Sequence, residues 1–171
     1  MWRVFYAENL LYAKHSRCVL APTVSGGFAH VMFALAAVSP GDFEELVAIR
    51  LATLSDTPER ARERLGNSFH PEHSRFIVID GHRAGFYTLR PADNGFHLEH
   101  FYILPPFQSR GVGGAVMRLL LGEAAGRPVF VGVLKGSPAI RFYQRHGFVA
   151  AGESERALYY VSTRNALSVG R

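Results

Sequence analysis

Apolar residues fall into two patterns along this chain: short, nearly continuous runs bounded by turn residues, and longer segments in which they recur every three or four positions. Phe43, Leu46, Val47, Arg50, Leu51 and Leu54 share one helical face, with Glu44 and Glu45 on the wet side. Ser39-Pro40-Gly41-Asp42 precedes them with a cap residue, a proline and an early acid, so the spacing predicts a helix opening at Ser39. Thr57-Pro58-Glu59 opens a second helix, whose Glu59, Arg60, Arg62, Glu63 and Arg64 form a solvated face and which Gly66-Asn67 ends. Strands are expected at Phe33–Val38, Arg75–Ile79, Ala84–Leu89, Phe96–Leu104, Val129–Leu134, Phe148–Ala151 and Ala157–Val161. Two further helices follow from Val112, Ala115, Val116, Leu119, Leu120 and Ala124, running to about Ala125, and from Ala139, Phe142, Tyr143 and His146.

The connections suggest a topology. Asp80-Gly81 is a tight hairpin turn and Pro91-Ala92-Asp93-Asn94-Gly95 another, so three strands in series form an antiparallel meander. Pro105-Pro106 removes ladder donors and stops the third strand. The near-continuous apolar run Val129–Leu134 is typical of a strand buried on both faces and paired in parallel. Strand, helix and strand from Phe96 to Leu134 then make a right-handed crossover unit.

Residues 1–31 differ from the rest. Arg17 precedes a stretch without formal charge, Cys18 to Ser39, which invites comparison with a signal peptide. Pro22 and Ser25-Gly26-Gly27 interrupt it, and Val31–Val38 is short for an apolar signal core and far short of the ~20 residues needed to span a membrane. The expected organisation is a poorly ordered extension over residues 1–31, one domain over residues 32–162 and a polar tail over residues 163–171. A single cysteine excludes an internal disulfide framework and a multi-cysteine zinc site. With no spanning segment, the expectation is a cytoplasmic protein without membrane attachment. The formal charge of +5 favours anionic partners, but the basic residues are scattered, so no nucleic-acid surface is expected.

The chemistry centres on Gln108-Ser109-Arg110-Gly111-Val112-Gly113-Gly114-Ala115, where a strand hands over to a helix. Glycines there leave backbone N–H groups bare, the helix N-terminus adds partial positive charge, and Arg110 adds a forked cation: together an anion site suited to a phosphate or pyrophosphate. The third glycine of a dinucleotide fingerprint is missing, and no G-x-S-x-G elbow occurs. His70, His73, His82 and His97 lack the acidic or cysteine partners of a metal site, so no metal is expected.

Two stretches resemble the GNAT superfamily of N-acetyltransferases. The loop fits the Q/R-x-x-G-x-G/A signature at Gln108, Gly111 and Gly113, and Lys135 to Phe148 fits the N-x-A…F-Y-x-x-x-G-F helix, with Ser137 where the family often has Asn. The resemblance covers roughly Phe33 to Val161. It implies a mixed α/β (α+β) fold: a GNAT-like central mixed sheet with antiparallel N-terminal strands, a splayed parallel pair at the cofactor slot and flanking helices. It also implies acetyl-CoA as co-substrate, with the pyrophosphate held by Gln108, Ser109, Arg110, Gly111, Val112, Gly113, Gly114 and Ala115. The pantetheine arm would pair with backbone at Ile103 and Leu104, and further cofactor contacts would come from Ser137, Ala139 and Phe142.

The implied reaction is acetyl transfer to a primary amine of a small molecule or peptide. Tyr143 is the family's acid for the departing thiolate, since a phenol with ordinary pKa near ~10 is protonated at neutral pH. Alternation places His97, Glu99, Phe101 and Ile103 on one face, making Glu99 the first candidate base and His97 the second, while His100 and Tyr102 face the other way and pack. Packing of Tyr143 and an arginine partner for Glu99 are the plain structural alternatives. A non-catalytic acyl-CoA-binding module is the alternative function, and homodimerisation stays open.

Overall fold

The structure, a computed structural model, describes residues 4–5, 17–21 and 31–162. The described residues form two compact units, one ending at Thr88 and resuming over His100–Ala115, the other made of Leu89–Glu99 and the residues from Val116 onward. The chain changes unit three times, inside two successive strands and then inside a helix.

In the first unit the strands run β1 (Val4–Phe5), β2 (Arg17–Ala21), β3 (Val31–Ala37), β4 (Ser74–Ile79) and β5 (His82–Ala92) in sheet order, and the pairs from β1 to β5 are all antiparallel. Asp80 (φ 50°) and Gly81 (φ 79°) both take the left-handed conformation, as a two-residue hairpin between β4 and β5 requires. Helices α1 (Phe43–Thr53) and α2 (Pro58–Gly66) supply Leu46, Val47, Ile49, Ala61 and Leu65 to a core completed by Val38, just past β3, and by Phe76 and Phe86 of the sheet. Each fully buried Phe or Leu there contributes roughly 1.5–3 kcal/mol.

Strand β6 (Gly95–Ile103) lies beside β5, and Gly85 is what lets the two approach in the first unit. A Cβ at Gly85 would stand 2.1 Å from the Tyr102 carbonyl oxygen and 3.0 Å from the Ile103 Cα, so no larger residue fits. Across this junction Leu104 donates its N–H to the Ala84 carbonyl at 2.8 Å.

The second unit holds the start of β6, then β7 (Val129–Leu134), β9 (Ala157–Ser162) and β8 (Phe148–Glu153) in sheet order. β6 and β7 are parallel, pairing Phe96, His97 and Leu98 with Val129, Phe130 and Val131. β7 with β9 and β9 with β8 are antiparallel. Helix α3 (Val112–Glu123) links β6 to β7, and α4 (Ala139–Arg145) links β7 to β8. Gly147 (φ 83°) follows α4 where only glycine is comfortable, ending the helix as its sequence position suggests.

The result is the mixed α/β fold with antiparallel N-terminal strands and one parallel pair that the patterns led one to expect. Three details differ. The helix expected from Ser39 begins as a 3-10 turn, Pro40–Asp42, with Ser39 as its N-cap in a capping box: Asp42 Oδ2 accepts from the Ser39 N–H (2.8 Å) and hydroxyl (2.6 Å). β5 continues through Pro91 and Ala92, leaving only Asp93-Asn94 in the turn. Strands β1 and β2 occur within the stretch read as an extension. The remaining residues of that extension and the tail over residues 163–171 lie outside the described residues. No helix among the described residues is long and apolar enough to cross a membrane.

Candidate active site

The first part of the site is made almost entirely of backbone. β6 stops where Pro105 and Pro106 withhold donors, and Pro105–Phe107 folds into a 3-10 turn. Phe107 N–H donates to the Leu104 carbonyl (2.9 Å), and Gln108 N–H to that of Pro105 (3.1 Å). The Gln108 side chain then folds back, its Nε2 donating to the Ile103 carbonyl at 2.7 Å. Ser109 (φ 59°) and Gly111 (φ 78°) are both left-handed, which turns the chain sharply into α3. The helical ladder begins with Ala115 N–H to Gly111 O at 3.0 Å. Among the described residues, the N–H groups of Val112, Gly113 and Gly114 meet no acceptor, as the first turn of a helix dictates. Ser109, Arg110 and Gly111 are exposed, and the Arg110 guanidinium carbon stands 5.7 Å from the Phe107 ring centroid. A row of open donors, a helix N-terminus and a cation fit a pyrophosphate.

The expectation for Ile103 and Leu104 becomes more specific. The Leu104 N–H is committed to Ala84, and both carbonyls already accept one hydrogen bond. Backbone donors alternate sides along a strand, so the Ile103 N–H points away from β5. It is the donor left for an extended amide chain.

The second part of the site depends on side chains. Register puts His97 of β6 beside Phe130 of β7, and their rings stack with centroids 5.4 Å apart and planes at 27°. Glu99, two residues on, shares that face. Its Oε1 accepts a 2.6 Å hydrogen bond from Arg90 Nε, so the arginine partner is present. Glu99 Oε2 is buried with no hydrogen-bond partner.

Tyr143 is 6% exposed, with Phe142 and Phe148 meeting its ring edge-on, each at 5.4 Å. Its place on α4 follows from the helix burying this one side chain against β8. Just before α4, Gly136, Ser137, Pro138, Ile140 and Arg141 line an open cleft of about 380 Å³. There Ser137 Oγ accepts from the Ala139 N–H at 3.2 Å, the capping role open to a serine at this position. Phe142 stacks on His146, centroids 4.4 Å apart.

His100 and Tyr102 pack, as alternation suggests. His100 Nε2 lies 2.8 Å from Ser68 Oγ, and both rings contact Phe86. Tyr102 takes a hydrogen bond from Arg50, which also holds Asp56 at 2.8 Å. Burial pushes the Tyr102 phenol up despite the nearby charges of Arg50 and Arg64. The hydrogen bond from Arg50 holds the Asp56 carboxyl below its usual range, outweighing desolvation. Among the described residues no cluster of His, Cys, Asp and Glu could hold a metal ion.

Sequence reasoning missed Arg90 and Arg141. Counting back from the Asp93-Asn94 turn sets Arg90 across from His97 and diagonal to Glu99, so the hairpin arithmetic held that signal. Arg141 lies one helical turn beyond Ser137, again a matter of spacing.

Residues 72–150 match the family model described as Acetyltransferase (GNAT) domain. No curated protein sequence matches the chain. Among solved structures, an acetyltransferase from Thermus thermophilus is 20% identical with a TM-score of 0.64, over 78% of this chain and 98% of that one. The ribosomal-protein-S18-alanine N-acetyltransferase from Escherichia coli is 16% identical with a TM-score of 0.61, over 77% and 93%. The PaiA N-acetyltransferase from Thermoplasma acidophilum, solved in complex with coenzyme A, is 14% identical with a TM-score of 0.64, over 76% and 98%. The structural likenesses establish a shared fold, and the matched domain contains the Gln108–Ala115 loop, Glu99 and Tyr143. Over residues 72–150 the chain is thus similar to a GNAT acetyltransferase domain, within a fold it shares with acetyltransferases of known structure.

Proposed function

We propose that this protein transfers the acetyl group of acetyl-CoA directly to a primary amine. The observation that carries the reading is the row of open N–H groups at Val112, Gly113 and Gly114, behind the left-handed Ser109 and Gly111, in the loop where the family signature falls. Acetyl-CoA, the acyl donor of this superfamily, supplies an activated thioester. The loop holds its pyrophosphate, the Ile103 N–H pairs with the pantetheine arm, and Ser137, Ala139 and Phe142 are the further cofactor contacts that the resemblance implies.

A C–N bond forms as the C–S bond breaks, so the acceptor nitrogen must lose a proton and the thiolate must gain one. Glu99, held by Arg90 at Oε1, takes the amine proton at its unpartnered Oε2, with His97 as the second candidate. Tyr143 donates to the thiolate. The acceptor is a primary amine of a small molecule or peptide.

Titration calorimetry with acetyl-CoA, paired with a free-thiol release assay over an amine panel, tests the reading. Micromolar binding with amine-dependent thiol release is expected. Binding without thiol release from any amine would instead favour a non-catalytic acyl-CoA-binding module.

A further inference from the structure

The Arg90–Glu99 pair is bonded on one side only. Arg90 Nε meets Glu99 Oε1 at 2.6 Å, yet Oε2 is buried without a donor and, among the described residues, the two terminal guanidinium nitrogens of Arg90 have no acceptor. Arginine–carboxylate pairs frequently close into two parallel hydrogen bonds, and this one does not. An unpaired buried carboxylate oxygen is unfavourable on its own and calls for a donor. The half of Arg90 left over is a planar fork suited to a carboxylate. The side chains are 36% and 19% exposed, so the pair lies at the surface although Oε2 itself is covered.

We propose that this pair selects a zwitterionic acceptor, a free amino acid whose ammonium donates to Glu99 Oε2 and whose carboxylate takes the terminal nitrogens of Arg90. The inference rests on the transferase reading and names its substrate class. Charge balance supports it, because the pair is neutral and a zwitterion keeps it so. A simple cationic amine would gain Glu99 only against the repulsion of Arg90.

The same sheet face indicates the side chain. Phe130 stacks on His97, and register aligns Phe130 and Gly132 with Val161 and Tyr159 of β9. Gly132 carries no side chain, and a Cβ there would touch the Tyr159 ring at 3.4 and 3.5 Å, so the ring lies over the bare glycine. Tyr159 is nonetheless 46% exposed. An aromatic wall beside an ion pair favours an amino acid with an apolar side chain.

The test compares phenylalanine, leucine, methionine and tyrosine with their carboxamides, as acceptors in the thiol assay and as ligands of the CoA-loaded protein in calorimetry. The acids should exceed the amides at least tenfold in kcat/KM and in affinity, although the amide's amine is the more easily deprotonated of the two. Arg90→Met should bring the acid-to-amide ratio to within twofold with the acetyl-CoA Kd unchanged, and Arg90→Lys should keep part of it. Amides or peptide N-termini that match the acids, or a ratio indifferent to Arg90, would overturn the inference and leave the transferase reading intact. Arg90-dependent binding of the acids without thiol release would uphold the inference and remove the transferase reading.

Discussion

The Gln108–Ala115 loop and the Glu99 face solve opposite problems by opposite means. The loop offers backbone donors in a fixed row, and the side chains at Ser109, Arg110 and Val112 matter less than the left-handed turns at Ser109 and Gly111. The Glu99 face offers side chains, an ion pair bonded on one side and an aromatic stack. A pyrophosphate is the same in every acyl-CoA and can be met by main chain, whereas an acceptor has to be distinguished from its relatives. On the proposed reading the backbone part is generic and the side-chain part carries the selectivity.

Substitutions can separate the two. The largest effect is expected at Gly85, because any Cβ there collides with the Tyr102 carbonyl just upstream of the loop. Gly85→Val should cost about 3 kcal/mol and lower Tm by about 10 °C, read by thermal and urea unfolding; an unchanged Tm would mean β5 and β6 tolerate separation. Tyr143→Phe should lower kcat by about 100-fold while leaving the acetyl-CoA Kd alone, and steady-state kinetics with unchanged turnover would remove its acid role. Gly111→Val forces a β-branched residue into left-handed backbone at about 1–2 kcal/mol. Acetyl-CoA should then bind roughly tenfold more weakly, with the acid-to-amide preference of the acceptor unaltered.

Gln108→Ala releases the Ile103 carbonyl, worth about 1 kcal/mol or fivefold in acetyl-CoA affinity by calorimetry. The smallest effect concerns neither part of the site. Asp56 is held below the ordinary carboxyl value in the folded chain, so its contribution to stability is present above the unfolded pKa of about 3.9. It is lost as pH falls through the lower folded value. Asp56→Asn should flatten the acid limb of a stability-versus-pH curve without changing the acetyl-CoA Kd.

The loop was legible in the sequence because glycine spacing, flanking prolines and a following amphipathic helix are local signals. Tyr143 could be placed on its helix for the same reason, with Gly147 marking the end. β1 and β2 were not legible, since two residues at Val4–Phe5 are too few to carry a period. Ser39 was legible as a cap, because a serine before a proline with an acid three residues on is a local signal, and the capping box with Asp42 forms there. The Arg90–Glu99 pair was missed for a different reason. Its partners sit nine residues apart on two strands, and only a hairpin turn narrowed to Asp93-Asn94 brings them into reach.

Strand β7 is bordered unequally, with five residues in register with β9 and only three with β6. Past Gly132, the side of β7 that points away from β9 has no residue in register with β6 among the described residues. In deuterium exchange a peptide covering β7 should therefore label in two phases, the ladder amides slowly and the unpartnered ones almost at once. The size of the fast phase counts the amides through which this strand faces solvent.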